Sequence, residues 1–172
     1  MRDISKKGRR ILVIQRGLAT EVANLDQTSR TGHFSGGDET RGGDEPPTIL
    51  LVEDTEDNRQ MMRKLLEMSG YRVLEATNGQ EAVQVTSEKQ PKLILMDLSL
   101  PIIDGLAATR LIRNLPNGRE LPIVAVSAHD TADFHADALS AGCDAYITKP
   151  INYPELEEIV ARLMAEALTR SH

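Results

Sequence analysis

The chain has 172 residues, of which 40% are hydrophobic but only 3% aromatic, and its formal net charge is -6 at pH 7. That length suits one compact domain with a short excess, and a core of Leu, Ile, Val, Ala and Met without Trp favours a helix-covered parallel sheet over a β-sandwich. The acidic balance argues against nucleic-acid binding, the single cysteine (Cys143) excludes an internal disulfide and a cysteine-rich zinc site, and the absence of a long apolar run leaves neither a secretory leader nor a membrane span, so a cytoplasmic location is expected.

In chain order, the first 17 residues hold six Lys or Arg against one acid, a basic arm. Ile11, Ile14, Leu18, Val22 and Leu25 recur at helical spacing, which fits a short amphipathic helix near 10–25, although Gly17 opposes it. Residues 26–47 are rich in Gly, Ser, Thr, Asp and Glu and end in Pro46-Pro47, a linker composition. The repeated Gly-Gly-Asp-Glu at 36–39 and 42–45 resembles the signature of cyclic-dinucleotide synthases, but it lacks flanking apolar strands and reads as linker. Residues 1–47 are thus expected to be arm and linker, 48–168 the domain, and 169–172 a tail.

From Thr48 onward, apolar runs that read as buried strands alternate with helical patterns. Strands are expected near 48–52, 71–76, 93–96, 122–127 and 145–148, each followed by one helix. This is the pattern of an α/β fold with a doubly wound five-stranded parallel sheet and, through right-handed crossovers, helices on both faces. Met61, Met62 and Met68 read as core filling for the first helix.

The strand ends carry the chemistry. The first run stops at Glu53-Asp54, the third at Asp97, the fourth at Ser127 and the fifth at Lys149, and ligands in such sheets bind outside the carboxyl edge. Crowded carboxylates call for a raised pKa or a bound cation, and Mg2+ suits hard oxygen donors. Asp97 is the expected nucleophile toward a phosphoryl group, with the metal, Lys149 and Ser127 each neutralising one phosphoryl oxygen.

With Glu53-Asp54, Met96-Asp97, Pro101, Asp104-Gly105, Val126-Ser127-Ala128, Tyr146 and Lys149-Pro150, at spacings of 43, 30 and 22 residues between the site positions, the segment from 48 to about 168 resembles a response-regulator receiver domain of two-component signalling. The resemblance implies a CheY-like, flavodoxin-like sheet of strand order 2-1-3-4-5. It makes Asp97 the phosphoacceptor, Glu53, Asp54, Asp97 and the backbone carbonyl of Ser99 the Mg2+ ligands, and Ser127 with Tyr146 the switch pair. Ser99 and His129 would tune phosphoryl lifetime, and the Lys149-Pro150 peptide would be cis. It also implies a histidine kinase or phosphotransfer protein as donor, a downstream protein target, and a partner or homodimer on the face of the fourth helix, fifth strand and fifth helix.

With no output domain evident, a stand-alone phosphorylation-controlled binding module that is not an enzyme is expected. A phosphorelay intermediate or a fragment of a hybrid kinase would use the same residues. An aspartyl-phosphate hydrolase would carry a second Asp where Ser99 stands, and a nucleotide-binding protein would carry a glycine-rich loop after the first strand where Glu53 to Asp57 stand instead.

Overall fold

The computed structural model describes residues 45–170; the basic arm, the expected helix near 10–25 and, apart from Glu45, the Gly-Gly-Asp-Glu repeats lie outside the described residues. Five strands and five helices alternate: β1 Thr48–Val52, α1 Glu56–Met68, β2 Arg72–Ala76, α2 Gly79–Lys89, β3 Leu93–Asp97, α3 Gly105–Arg113, β4 Ile123–Ser127, α4 Ala132–Ala141, β5 Ala145–Thr148 and α5 Tyr153–Arg170. The strands form one parallel sheet of order β2-β1-β3-β4-β5. Strands β3 and β4 are buried along their whole length, which explains their unbroken apolar sequences.

Two cores lie on opposite faces of the sheet. Met62 and Leu66 of α1 and Leu156, Ile159 and Val160 of α5 pack on one face with Ile49, Leu95 and Val124. Ala82 of α2, Ala108 and Ile112 of α3 and Ala138 of α4 pack on the other with Leu50, Ile94 and Ala125. The chain leaves β1 for one face and β3 for the other, so a crevice opens between the carboxyl ends of these two neighbouring strands.

The methionines of α1 divide. Met62 is buried, whereas Met61 and Met68 are 57% and 83% exposed, which corrects the reading of all three as core. Positions 62 and 66 are one turn apart and face the sheet; 61 and 68 lie off that stripe, and methionine gives no sequence signal that separates the two faces.

Two helix starts are fastened close to the crevice. Asn78 caps α2 by accepting the Glu81 N–H, and Asp104 caps α3 by accepting the Ala107 N–H at 2.8 Å. A Cβ on Gly105 would lie 2.2 Å from the carbonyl oxygen of Asp97, so the Asp104-Gly105 pair brings a capped helix directly against the end of β3. At the opposite edge of the sheet, Arg113 donates to the carbonyls of Gly142, Gly118 and Leu121 and pairs with Asp144 at 2.8 Å, joining α3 to the start of β4 and the end of α4.

Candidate functional site

Five polar side chains are buried among the described residues: Glu53, Thr86, Asp97, Thr109 and Ser127. The two threonines bond the carbonyls four residues back in their own helices. The other three sit at the ends of β1, β3 and β4, and Lys149 follows β5. Burying charge is unfavourable unless it is paired, so their convergence marks the site.

The ammonium of Lys149 donates to Oε2 of Glu53 at 3.0 Å and to Oδ2 of Asp97 at 2.6 Å. Asp97 Oδ1 accepts the N–H of Ser99 at 2.7 Å, and Glu53 Oε1 accepts the N–H of Thr55 at 3.1 Å. Carboxylate oxygens of Glu53, Asp54 and Asp97 lie within 4.8 Å of one another, with Asp54 exposed. Three hard oxygen donors at one open crevice fit a small divalent cation that keeps several waters.

Burial pushes the Asp97 carboxyl up, and the Glu53 charge adds to this; together they outweigh the bonds from Lys149 and the Ser99 N–H, so its pKa lies above the ordinary value. Burial acts on Glu53 in the same direction, but the bonds from Lys149 and the Thr55 N–H and the Lys149 charge prevail and hold it below the usual carboxylate range. For Lys149, desolvation is overcome by its bonds to Asp97 and Glu53, and its pKa is raised. One lysine facing three carboxylates leaves an excess of negative charge for a cation to neutralise.

Beyond Asp97 the chain makes a γ-turn. The N–H of Ile103 donates to the carbonyl of Pro101 at 2.8 Å across Ile102, which has φ 68° and is 76% exposed. A β-branched residue at positive φ in such a turn is strained by about 1–3 kcal/mol. Nothing in the sequence marked this residue.

Ser127 and Tyr146 are joined through the backbone of His129. The His129 N–H donates to Ser127 Oγ at 3.1 Å, and the Tyr146 hydroxyl donates to the His129 carbonyl at 2.7 Å. The ring of Tyr146 is buried and lies 4.1 Å from that of His135, which in turn meets Asp130 at 3.1 Å; the His129 ring stacks on Phe134 at 4.2 Å. His129 and Ser99 are exposed at the mouth. The Lys149-Pro150 peptide is cis.

Glu53, Asp54, Asp97, Ser99, Ser127, His129 and Lys149 therefore come to one sheet edge, and Tyr146, inside β5, reaches it through the His129 carbonyl. Sequence reasoning missed Arg59, whose guanidinium reaches the backbone of the Glu53-Asp54 turn. An Arg in the first turn of an amphipathic helix carries no local signal of such a bond.

Comparison with known proteins agrees with this geometry. Residues 49–161 match the family model for the response regulator receiver domain. The chain is 36% identical over 122 residues to the polar-differentiation response regulator DivK of Brucella anthropi, covering 71% of this chain and 99% of that protein. It is 38% identical to the receiver domain of sensor histidine kinase PA1611 from Pseudomonas aeruginosa, a crystal structure with a magnesium ion coordinated in the active-site cleft, at a TM-score of 0.66 over 70% of this chain and 98% of that one. A response regulator structure from Chloroflexus aurantiacus matches at 31% identity and a TM-score of 0.67, covering 70% of this chain and 98% of that one. With family match, fold and edge cluster in agreement, the chain belongs to the response regulator receiver domain family.

Proposed function

We propose that residues 48–168 act as the phosphoryl-accepting module of a stand-alone response regulator, with Asp97 as acceptor, a phosphohistidine on a histidine kinase or phosphotransfer protein as donor, and Mg2+ as cofactor. An oxygen of Asp97 attacks phosphorus, the P–N bond breaks with its electron pair leaving on the imidazole, and an acyl phosphate forms on Asp97. Glu53, Asp54, Asp97 and the Ser99 carbonyl would hold Mg2+, which supplies charge neutralisation at the phosphoryl oxygens. Lys149, already bonded to Asp97 Oδ2, would turn to one phosphoryl oxygen and the Ser127 hydroxyl to another. The observation that carries this reading is the Lys149 ammonium held between buried Glu53 and Asp97 beside a three-carboxylate group.

The signal would pass by contact. Ser127, drawn toward the phosphoryl group, would pull on the His129 peptide that also holds Tyr146, and so couple the site to the face of α4, β5 and α5 where a protein target or a second copy would bind. The Tyr146 ring already lies inward, so phosphorylation would act mainly on the Ser127 half. Ser99 and His129 at the mouth would set water access and hence phosphoryl lifetime, which the decay of the phosphorylated mass in His129→Ala against wild type would read.

The test is intact-protein mass after incubation with acetyl phosphate, with and without Mg2+. The expected result is a Mg2+-dependent gain of one phosphoryl group that Asp97→Asn lacks. An equal gain in Asp97→Asn would place the acceptor elsewhere and sink the assignment.

A further inference from the structure

We infer that Arg59 is a positioning residue for the cation site, setting its affinity by fastening the turn that carries Glu53 and Asp54; the inference rests on the Mg2+ site proposed above. Arg59 lies in the first turn of α1, and its side chain is only 16% exposed. Its Nη1 donates to the carbonyl oxygen of Glu53 at 3.0 Å and faces that of Asp54 at 3.4 Å. On the other side its Nε meets Oε1 of Glu75, on β2, at 3.3 Å. The backbone N–H of Arg59 donates to the carbonyl of Thr55, whose own N–H donates to Glu53 Oε1.

This turn needs an external fastening. Thr55 occupies the N-cap of α1 but makes no side-chain cap bond, and Asp54 and Thr55 are both exposed. A carboxylate ligand is placed only as well as the backbone beneath it, and groups that orient metal ligands contribute strongly to affinity. Arg59 ties both carbonyls of the acidic pair to α1 and, through Glu75, to the edge strand of the sheet.

The positive charge of Arg59 could also act on the cation directly, by repulsion. The surroundings oppose that reading. Glu75 is shared by Arg59 and by Arg63, and Arg63 also pairs with Glu67 at 2.9 Å, so two guanidinium groups face two carboxylates. The field this group sends to the site is largely cancelled, which leaves the hydrogen bonds as its main contribution.

The two effects have opposite signs, and a Mg2+ titration of the full chain by calorimetry separates them. In Arg59→Ala the Kd for Mg2+ should rise about tenfold, within the range such orienting groups show. Phosphorylation by acetyl phosphate should need correspondingly more Mg2+ but reach nearly the wild-type rate at saturation. Arg59→Lys, which can reach a carbonyl but cannot also span to Glu75, should fall between the two. Urea unfolding without Mg2+ reports whether each variant folds, and should Arg59→Ala fail to fold, Arg59→Lys decides. A folded variant with unchanged or tighter Mg2+ binding, or one whose saturating rate falls with no change in Kd, overturns the role given to Arg59. Wild type that takes up no Mg2+ overturns this inference together with the metal site itself, so the two failures are distinguishable.

Discussion

Cys143 lies just before β5, is 2% exposed, and has Thr109 Oγ1 3.9 Å from its sulfur. Burial pushes its thiol from 9.0 up to about 11. At neutral pH it is a small inert core group, as its position before a strand suggests. The folded state prefers the neutral thiol, so the unfolded chain ionises first. Stability tied to Cys143 is therefore complete below about pH 9 and is lost as pH rises toward 11, by up to about 3 kcal/mol. Urea unfolding at stepped alkaline pH should show a shallower decline for Cys143→Ala than for wild type, and parallel curves would contradict the buried-thiol account. The same residue-by-residue view shows the limit of composition: Met62 and Met61 are adjacent and identical in type, yet only one is core.

At the scale of elements, the site depends on how closely the ends of strands and helices approach. The β3–α3 connection folds back so that the Gly105 N–H donates to the Leu98 carbonyl at 3.2 Å, while Asp104 caps α3. The added methyl of Gly105→Ala would meet the carbonyl oxygen of Asp97 and the Cα of Leu98, both backbone atoms that cannot rotate away. The substitution should cost about 1–3 kcal/mol of stability, typical of overpacking. It should also slow phosphorylation, because relief of the clash would shift the backbone that carries Asp97. Denaturant unfolding and mass-detected phosphorylation check the two parts. The strands were legible from the sequence nearly residue for residue, because a strand buried on both faces must be apolar throughout and here stops at a polar end. The helices were legible only in number and place, since α3 exposes Leu111 and α4 exposes Phe134 and Leu139 beside their buried residues.

For the whole molecule, the proposed cation site would link folding to Mg2+ binding. Asp97 has a pKa raised by burial and by the Glu53 charge, so its ionisation opposes folding as pH rises through that raised value. Asp97→Asn should accordingly be more stable than wild type without Mg2+. Adding Mg2+ at ten times its Kd should stabilise wild type by about 1.4 kcal/mol and the variant by much less. Thermal unfolding across a Mg2+ series checks both, and equal responses would contradict a site built on Asp97. The sequence by itself determined the α/β class, the strand positions and the identity of the edge residues, because each is written in a local run of side chains and its terminating residue. Only the tertiary structure decided which methionines are buried, that Ile102 holds a strained turn, that His129 links Ser127 to Tyr146, and that Arg59 ties the Glu53-Asp54 turn to Glu75. Those features are distances between groups whose separation in space is set by packing the whole chain, and no local pattern of residue types encodes them.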